Sequence, residues 1–348
     1  MKVTQQFCFK HESGEDIYLF KLKNSKGTEI SITNYGAIIT GFKIRDEDGS
    51  GNDIVLGFDN VKDYRDPAYL KQYPWFGCAV GRYANRIKNA RFELDSKLYI
   101  VSKNQGEHQL HGGLEGFDKK VWKIKSYGSD KTCFLQMEYL SLYGEEGYPG
   151  NLSVSIRFEL TEENELSYEY HATTDMATPV NLTHHSYFNL NKGQNTIHDH
   201  ELRIFASKML VQDKDLVATG EIADVSDTEF DFRNCRKIYE TVPLDFDYDK
   251  SFVTDNGISD TPKLAAEARS STSGILLQVY TTNPIVHFYA GKWIPLVQGK
   301  NNEHYGPFSG FCLETHNYCN AVNIPGFPNT ILRPGEDYKQ KTIYKIIN

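Results

Sequence analysis

The sequence has no apolar run approaching membrane-spanning length. Its N-terminus, Met-Lys-Val-Thr-Gln-Gln-Phe-Cys-Phe-Lys, has neither an apolar stretch nor a small-residue cleavage site. A spanning helix and a secretory signal are therefore not expected, and the chain reads as soluble and cytoplasmic with no membrane partner. Closely spaced cysteines are missing as well. Cys8, Cys78, Cys133, Cys235, Cys312 and Cys319 never show the two-residue spacing of a zinc knuckle or a redox motif, so they are expected to be reduced and largely buried. There is no basic stripe: the formal net charge of −8 comes from scattered acids, which speaks against a nucleic-acid partner. Helical periodicity is scarce and confined to Val61–Leu70 and the segment around Pro262–Arg269. No fixed-period repeat or low-complexity run occurs.

What is present is strand pattern. Hydrophobic residues make up 39% of the 348 and aromatics 13%, with 22 Tyr and 20 Phe, a composition suited to a well-cored β protein with an aromatic-lined cleft. Leu152–Leu160 alternates apolar and polar without a fault, and Leu166–Ala172 alternates again after a polar turn, which predicts an antiparallel hairpin. A second hairpin is predicted from Gly274–Thr282 and Ile285–Gly291 around Asn283-Pro284. Shorter strands are predicted at Ile30–Thr33, Ile38–Ile44, Asp53–Leu56, Arg91–Leu94, Lys97–Ile100, Cys133–Tyr139, Glu201–Ala206, Phe311–Glu314 and Thr342–Ile346. Thr254–Pro262, with its polar continuation to Ser273, reads as a surface loop. Many short strands with Gly- and Asn-rich turns point to an all-β fold, a large antiparallel β-sandwich formed by residues 1–348 as one domain.

Three short segments carry candidate chemistry. His111 follows Gln-Leu and precedes two glycines, which let backbone approach a ligand closely. His185 stands in Asn-Leu-Thr-His-His-Ser-Tyr-Phe-Asn-Leu, where neighbouring His184 points to the opposite face if the segment is extended. That polar patch between apolar residues is either a tight hydrogen-bond network or a site. Glu314 ends the apolar Phe311-Cys312-Leu313, and a carboxylate at the end of a buried strand can titrate near neutrality and act as a base. If folding joins these segments, two imidazoles and a carboxylate share one cleft, enough for acid–base chemistry without a cofactor.

Gly81–Ile87 adds Arg82, Asn85 and Arg86, a guanidinium and amide set that can hold a hydroxyl-rich ligand or simply form a turn facing water. His198-Asp199-His200 would place two imidazoles on one strand face, but no third ligand stands at a recognisable spacing, so no metal is expected. Glu145-Glu146 and Asp245, Asp247 and Asp249 offer carboxylate pairs of the kind a glycoside hydrolase uses, although adjacent glutamates in a Gly-rich turn are more often solvated.

Taken in order, Gly81–Ile87, Leu110–Gly113, Gly144–Gly150, Ala177–Leu190, Leu216–Ile222, Phe311–Val322 and Leu332–Glu336 closely resemble the aldose 1-epimerase (galactose mutarotase) family. The resemblance runs from about Asn34 to the C-terminus. It implies a β-supersandwich with an open sugar cleft that interconverts the α- and β-anomers of free aldohexoses such as galactose and glucose, with no cofactor. By motif position, Glu314 resembles the general base, His185 the general acid, and His111 and Arg86 the groups that bind hydroxyls and polarise the ring oxygen. Asn85 and Asp249 match sugar-binding positions, and so does His287, where the family pattern more usually has Gln. Tyr318-Cys319-Asn320-Ala321 likewise replaces a more usual aromatic-Pro-Asp-Ala. The alternatives are a non-catalytic sugar-binding or sugar-sensing protein and an epimerase of a phosphorylated hexose. The expected partner is a small aldose, with a monomer as the default state and a dimer as the alternative.

Overall fold

The computed structural model describes residues 1–45, 51–191 and 196–348. The faultless alternation of Leu152–Leu160 does form a strand. It pairs antiparallel with Glu165–Thr174, with Leu152 opposite Thr174 and Leu160 opposite Leu166. This hairpin lies inside a nine-stranded antiparallel sheet in the order Lys123–Ser129, Cys133–Ser141, Leu152–Leu160, Glu165–Thr174, Tyr338–Ile347, Leu276–Thr281, Lys263–Ser270, His200–Ile204, Arg236–Lys237. A six-stranded sheet lies against it, in the order Tyr187–Phe188, Phe311–His316, Ile285–Tyr289, Asp249–Val253, Lys208–Gln212, Ala218–Asp224. The N-terminal 53 residues add a five-stranded meander.

The two large sheets meet through side chains of period two. Phe188 packs edge-on against Tyr344 with ring centroids 4.9 Å apart, and Thr315 Oγ1 lies 3.2 Å from the Tyr168 hydroxyl. On Phe311–His316 the residues Phe311, Leu313 and Thr315 therefore face the core. Cys312, Glu314 and His316 must then face the other way. The same alternation on Ile285–Tyr289 sends Val286 and Phe288 into the core, and on Asp249–Val253 it sends Phe252 there. His287, Tyr289, Asp249 and Ser251 are left on the outer face beside Glu314.

Several expectations fail for tertiary reasons: Asp53–Leu56 is not a strand, since Gly51–Asp53 ends there and Val55 makes an isolated bridge to Phe188, and the surface loop read from Thr254 to Ser273 gives way to a strand at Lys263. Gly274–Thr282 and Ile285–Gly291 do not form a hairpin: Leu276–Thr281 belongs to the nine-stranded sheet and Ile285–Tyr289 to the six-stranded one. Both edges of Leu276–Thr281 are already filled, by Lys263–Ser270 and Tyr338–Ile347. Asn283-Pro284 is instead a crossing between sheets, where the Asn283 side chain donates to Gln340 Oε1 at 2.6 Å and the Pro284 carbonyl accepts from Thr254 N at 2.8 Å. The segment around Pro262–Arg269 is a strand, Lys263–Ser270, paired on both sides. Its alanines favour a helix in isolation, but the two ladders override so small a propensity. The other predicted helix is present as a 3-10 turn, Val61–Arg65, followed by a short α-helix, Pro67–Gln72, capped by Asp66 and opened by Pro67.

Arg82 is a structural residue. It is 2% exposed, and its guanidinium donates to Ser141 Oγ and to the carbonyls of Ser141, Leu142, Pro149 and Gly150 at 2.7–3.0 Å. It ties the 141–150 loop to the Gly81–Ile87 segment. Arg82→Leu would orphan four carbonyls and is expected to cost about 3 kcal/mol or more. A fall in the urea unfolding midpoint checks it.

Candidate active site

The outer face of the six-stranded sheet is the floor of an open cleft of about 700 Å³ lined by Glu314, His185, His111, Asn85, Arg86, Asp249 and His287. Glu314 and His287 stand directly opposite one another on neighbouring strands, and Ser251 stands opposite His287 on the next. His185 comes from the connection between Thr183–His184 and Tyr187–Phe188. Its backbone is fixed by N–H donation to the Cys78 carbonyl at 2.9 Å and by acceptance from Gly77 N at 2.9 Å. His184 turns away into the core, with ring nitrogens near the Ala37 carbonyl and Ser186, as alternation requires. His185 Nε2 then lies 3.5 Å from Glu314 Oε1, and among the described residues Glu314 Oε2 has no hydrogen-bond partner.

His111 enters from the opposite wall. Its φ of 52° is left-handed, a conformation that non-glycine residues hold only where surrounding structure enforces it. Gly112 follows with φ +88°, and a Cβ there would lie 1.9 Å from the Gly81 carbonyl oxygen, so the approach of these two loops requires glycine. Glu146 braces the same turn by accepting from Leu114 N and Glu115 N at 2.9 and 3.0 Å. Glu145 accepts from the Tyr139 and Ser141 hydroxyls. Both glutamates are thus half-buried parts of the scaffold around the cleft, tied to backbone and hydroxyl donors. His111 and His185 meet edge to face with centroids 5.2 Å apart.

Asn85 N donates to His111 Nδ1 at 3.3 Å, Asn85 Oδ1 accepts from Arg86 N at 2.8 Å, and Arg86 Nε donates to Gln105 Oε1 at 2.6 Å. Arg86 is therefore held rigidly at the cleft wall. The Asn85 contact also leaves the neutral His111 ring with its proton on Nε2. This matters because one ligand atom each from His111, His185 and Glu314 fall within 4.8 Å of one another, close enough to hold a metal ion. A metal-bound imidazole offers a lone pair to the metal and donates its other N–H to a protein acceptor. In His111 the other nitrogen is itself the acceptor, so the trio suits proton transfer better than metal ligation. His198 and His200 do not share a strand face: the strand begins at His200. The His200 ring is engaged by Leu190 N and Asp199, and His198 by Thr196.

Burial dominates the electrostatics. It pushes Glu314 up to about 7, against the pull of His287 and Arg86. It drops His185 to about 3 and holds His111 well below the ordinary imidazole value, with His185 and Arg86 adding repulsion. Burial also works to raise Asp249, but contact with His287 and the charge of Arg86 outweigh it and keep that carboxyl ionised below its usual range. The cleft thus contains a carboxyl that can give or take a proton near neutrality, an imidazole within reach of it, and a fixed anion.

Several lining residues carried no separate sequence signal: Tyr73, Trp75, Gln105, Tyr289 and Trp293. Trp75 lies near both imidazoles, 5.0 Å from the His111 ring and 6.3 Å from that of His185. The compact aromatic run Tyr73-Pro74-Trp75-Phe76 was the one local hint.

The aldose 1-epimerase family model matches residues 18–345. Galactose mutarotase from Sus scrofa is 40% identical over 330 residues, covering 93% of this chain and 92% of that protein. Aldose 1-epimerase from Escherichia coli (strain K12) is 34% identical over 342 residues, 96% of each chain. Among solved structures, the aldose epimerase homologue from C. elegans superposes with a TM-score of 0.86 at 29% identity over 99% of each chain. With the family pattern covering nearly the whole length, and the fold matching as closely as the sequence, the chain belongs to the aldose 1-epimerase family.

Proposed function

We propose that this cleft interconverts the α- and β-anomers of a free aldohexose such as galactose or glucose, with Glu314 as general base and His185 as general acid. The observation that carries the reading is the 3.5 Å approach of His185 Nε2 to Glu314 Oε1 on the cleft floor. The Glu314 carboxylate takes the proton of the anomeric hydroxyl, O1 becomes the aldehyde oxygen, and the C1–O5 bond breaks. His185 protonates the departing O5. Rotation about C1–C2 turns the other aldehyde face to O5. In the return step O5 loses its proton to His185 and attacks C1, while O1 takes its proton from Glu314, so nothing is consumed. Ring opening converts a carboxylate and an imidazolium into a carboxylic acid and a neutral imidazole, the direction that burial favours. His111, Asn85, Arg86 and Asp249 bind and orient the hydroxyls, and Trp75 lends the wall an apolar face.

Because the acid and base titrate as a pair holding one proton, kcat/KM is governed by the pair's two macroscopic values. Between the His185 value of about 3 and the Glu314 value of about 7 the pair keeps a single proton, which rests mainly on Glu314 and reacts from the minor form that carries it on His185. Above about 7 that proton is lost and no acid remains. The expected profile is flat from about pH 4 to 6 and falls about tenfold per pH unit well above 7; polarimetric rates across that range check it, and a rate that climbs through pH 8 would contradict it.

A phosphorylated hexose is less well served: at the cleft mouth Glu107, Asp215 and Asp249 offset Arg86 and Lys214, leaving no net positive rim for a phosphate. On the reading advanced here the chain acts as a single-domain monomer in a reducing, cytoplasmic setting. One core that draws on both Phe20 and Ile346 supports the single domain, and six free thiols support the setting.

A further inference from the structure

His287 and Cys319 are joined in the fold. Ser251 Oγ lies 2.8 Å from His287 Nδ1 and 3.2 Å from Cys319 Sγ. On its other side, His287 Nε2 lies 2.9 Å from Asp249 Oδ1. Ser251, His287 and Cys319 are buried, and His287 and Asp249 both line the cleft. Both ring nitrogens of His287 are therefore occupied within the protein, and neither is left over for a sugar hydroxyl.

With a neutral His287 ring facing the Asp249 carboxylate, the donors and acceptors along this row take one order. The Cys319 thiol donates to Ser251 Oγ, and the Ser251 hydroxyl donates to His287 Nδ1. The ring proton then sits on Nε2, against the Asp249 carboxylate. Asp249 Oδ1 has no other hydrogen-bond partner among the described residues, and a carboxylate oxygen can accept more than one donor. That oxygen is held in place with acceptor capacity to spare beside the cleft, as a hydroxyl-binding carboxylate requires.

We propose that His287 is a positioning residue: the Cys319–Ser251–His287 relay fixes its tautomer and, through it, sets the Asp249 carboxylate for the sugar hydroxyls. The inference rests on the sugar-binding reading above and deepens it. It assigns His287 and Ser251 to the strength of sugar binding and leaves proton transfer to Glu314 and His185.

The test is a double-mutant cycle on the full chain, read as galactose Kd by titration calorimetry together with KM and kcat. Ser251→Ala, which deletes one oxygen, is expected to raise Kd and KM about 10-fold while kcat stays within about threefold. In a His287→Ala background the same change is expected to add nothing. His287→Gln is expected to restore Kd to within about threefold, because an amide can both give N–H to Asp249 and accept from Ser251. An unchanged Kd in Ser251→Ala, or an equal loss from that change in both backgrounds, would overturn the relay. Kd is measured without turnover, so a wild-type protein that binds galactose but fails to speed anomer exchange would count against the acid–base reading and leave this test standing.

Discussion

Glu314→Gln is expected to lower kcat for galactose anomer exchange by about 10²–10⁴-fold while leaving sugar affinity near that of the wild type. The amide has the shape of the carboxyl but cannot accept the anomeric proton. Glu314 is 2% exposed and, among the described residues, one of its oxygens has no hydrogen-bond partner, which leaves that oxygen free to receive the proton. Exchange between the α- and β-anomer signals of galactose at equilibrium, followed by proton NMR, measures the loss directly. The same substitution has an opposite consequence for stability. The folded-state value of Glu314, about 7, lies above the ordinary 4.5, so the wild type loses stability as pH rises from 4.5 to about 7, where the buried carboxyl ionises, and the penalty is complete above that. Glu314→Gln has no such penalty. It should withstand more urea than the wild type at pH 8 and about the same at pH 4, a trade of activity for stability typical of catalytic groups.

His185→Gln is expected to lower kcat by a similar factor, about 10²–10⁴-fold, because an amide N–H can hydrogen-bond to O5 but cannot protonate it. The two substitutions should not add. Once either member of the pair is gone the concerted route is lost, and the double variant is expected to be no slower than the worse single one. Single-turnover or NMR exchange rates on the three variants check this. Full additivity would mean that Glu314 and His185 work in separate steps.

Much of this architecture could be read from alternation alone, and the failures have physical causes. Leu152–Leu160 was readable because one of its faces is wholly buried and the other largely polar. Lys263–Ser270 was not, since its run of alanines has a helical preference in isolation and becomes a strand only because ladders form on both edges. The strands Lys2–Lys10 and Asp16–Lys23 were missed because the first is mostly exposed and carries little apolar contrast. Ile285–Tyr289 was recognised as a strand but given the wrong partner, because Asn283-Pro284 looks the same locally whether the chain turns back or crosses to another sheet.

The site divides along similar lines. His111, His185 and Glu314 were each ambiguous alone and informative as an ordered set, and folding brings them into one cleft with Asn85, Arg86, Asp249 and His287. Arg82, four residues from Arg86 and of the same type, went the other way and braces a loop. Nothing in a seven-residue segment says which guanidinium faces the cleft. The relay through Ser251 was out of reach because it depends on strand register: Ser251 meets His287 only as a cross-strand neighbour.

The most direct measurement is polarimetry of freshly dissolved α-D-galactose at pH 6, with the wild-type protein, with Glu314→Gln and with no protein. The proposed pair predicts clear acceleration by the wild type and a rate close to the spontaneous one with Glu314→Gln. A wild type that leaves the spontaneous rate unchanged, or a Glu314→Gln variant as fast as the wild type, would contradict it.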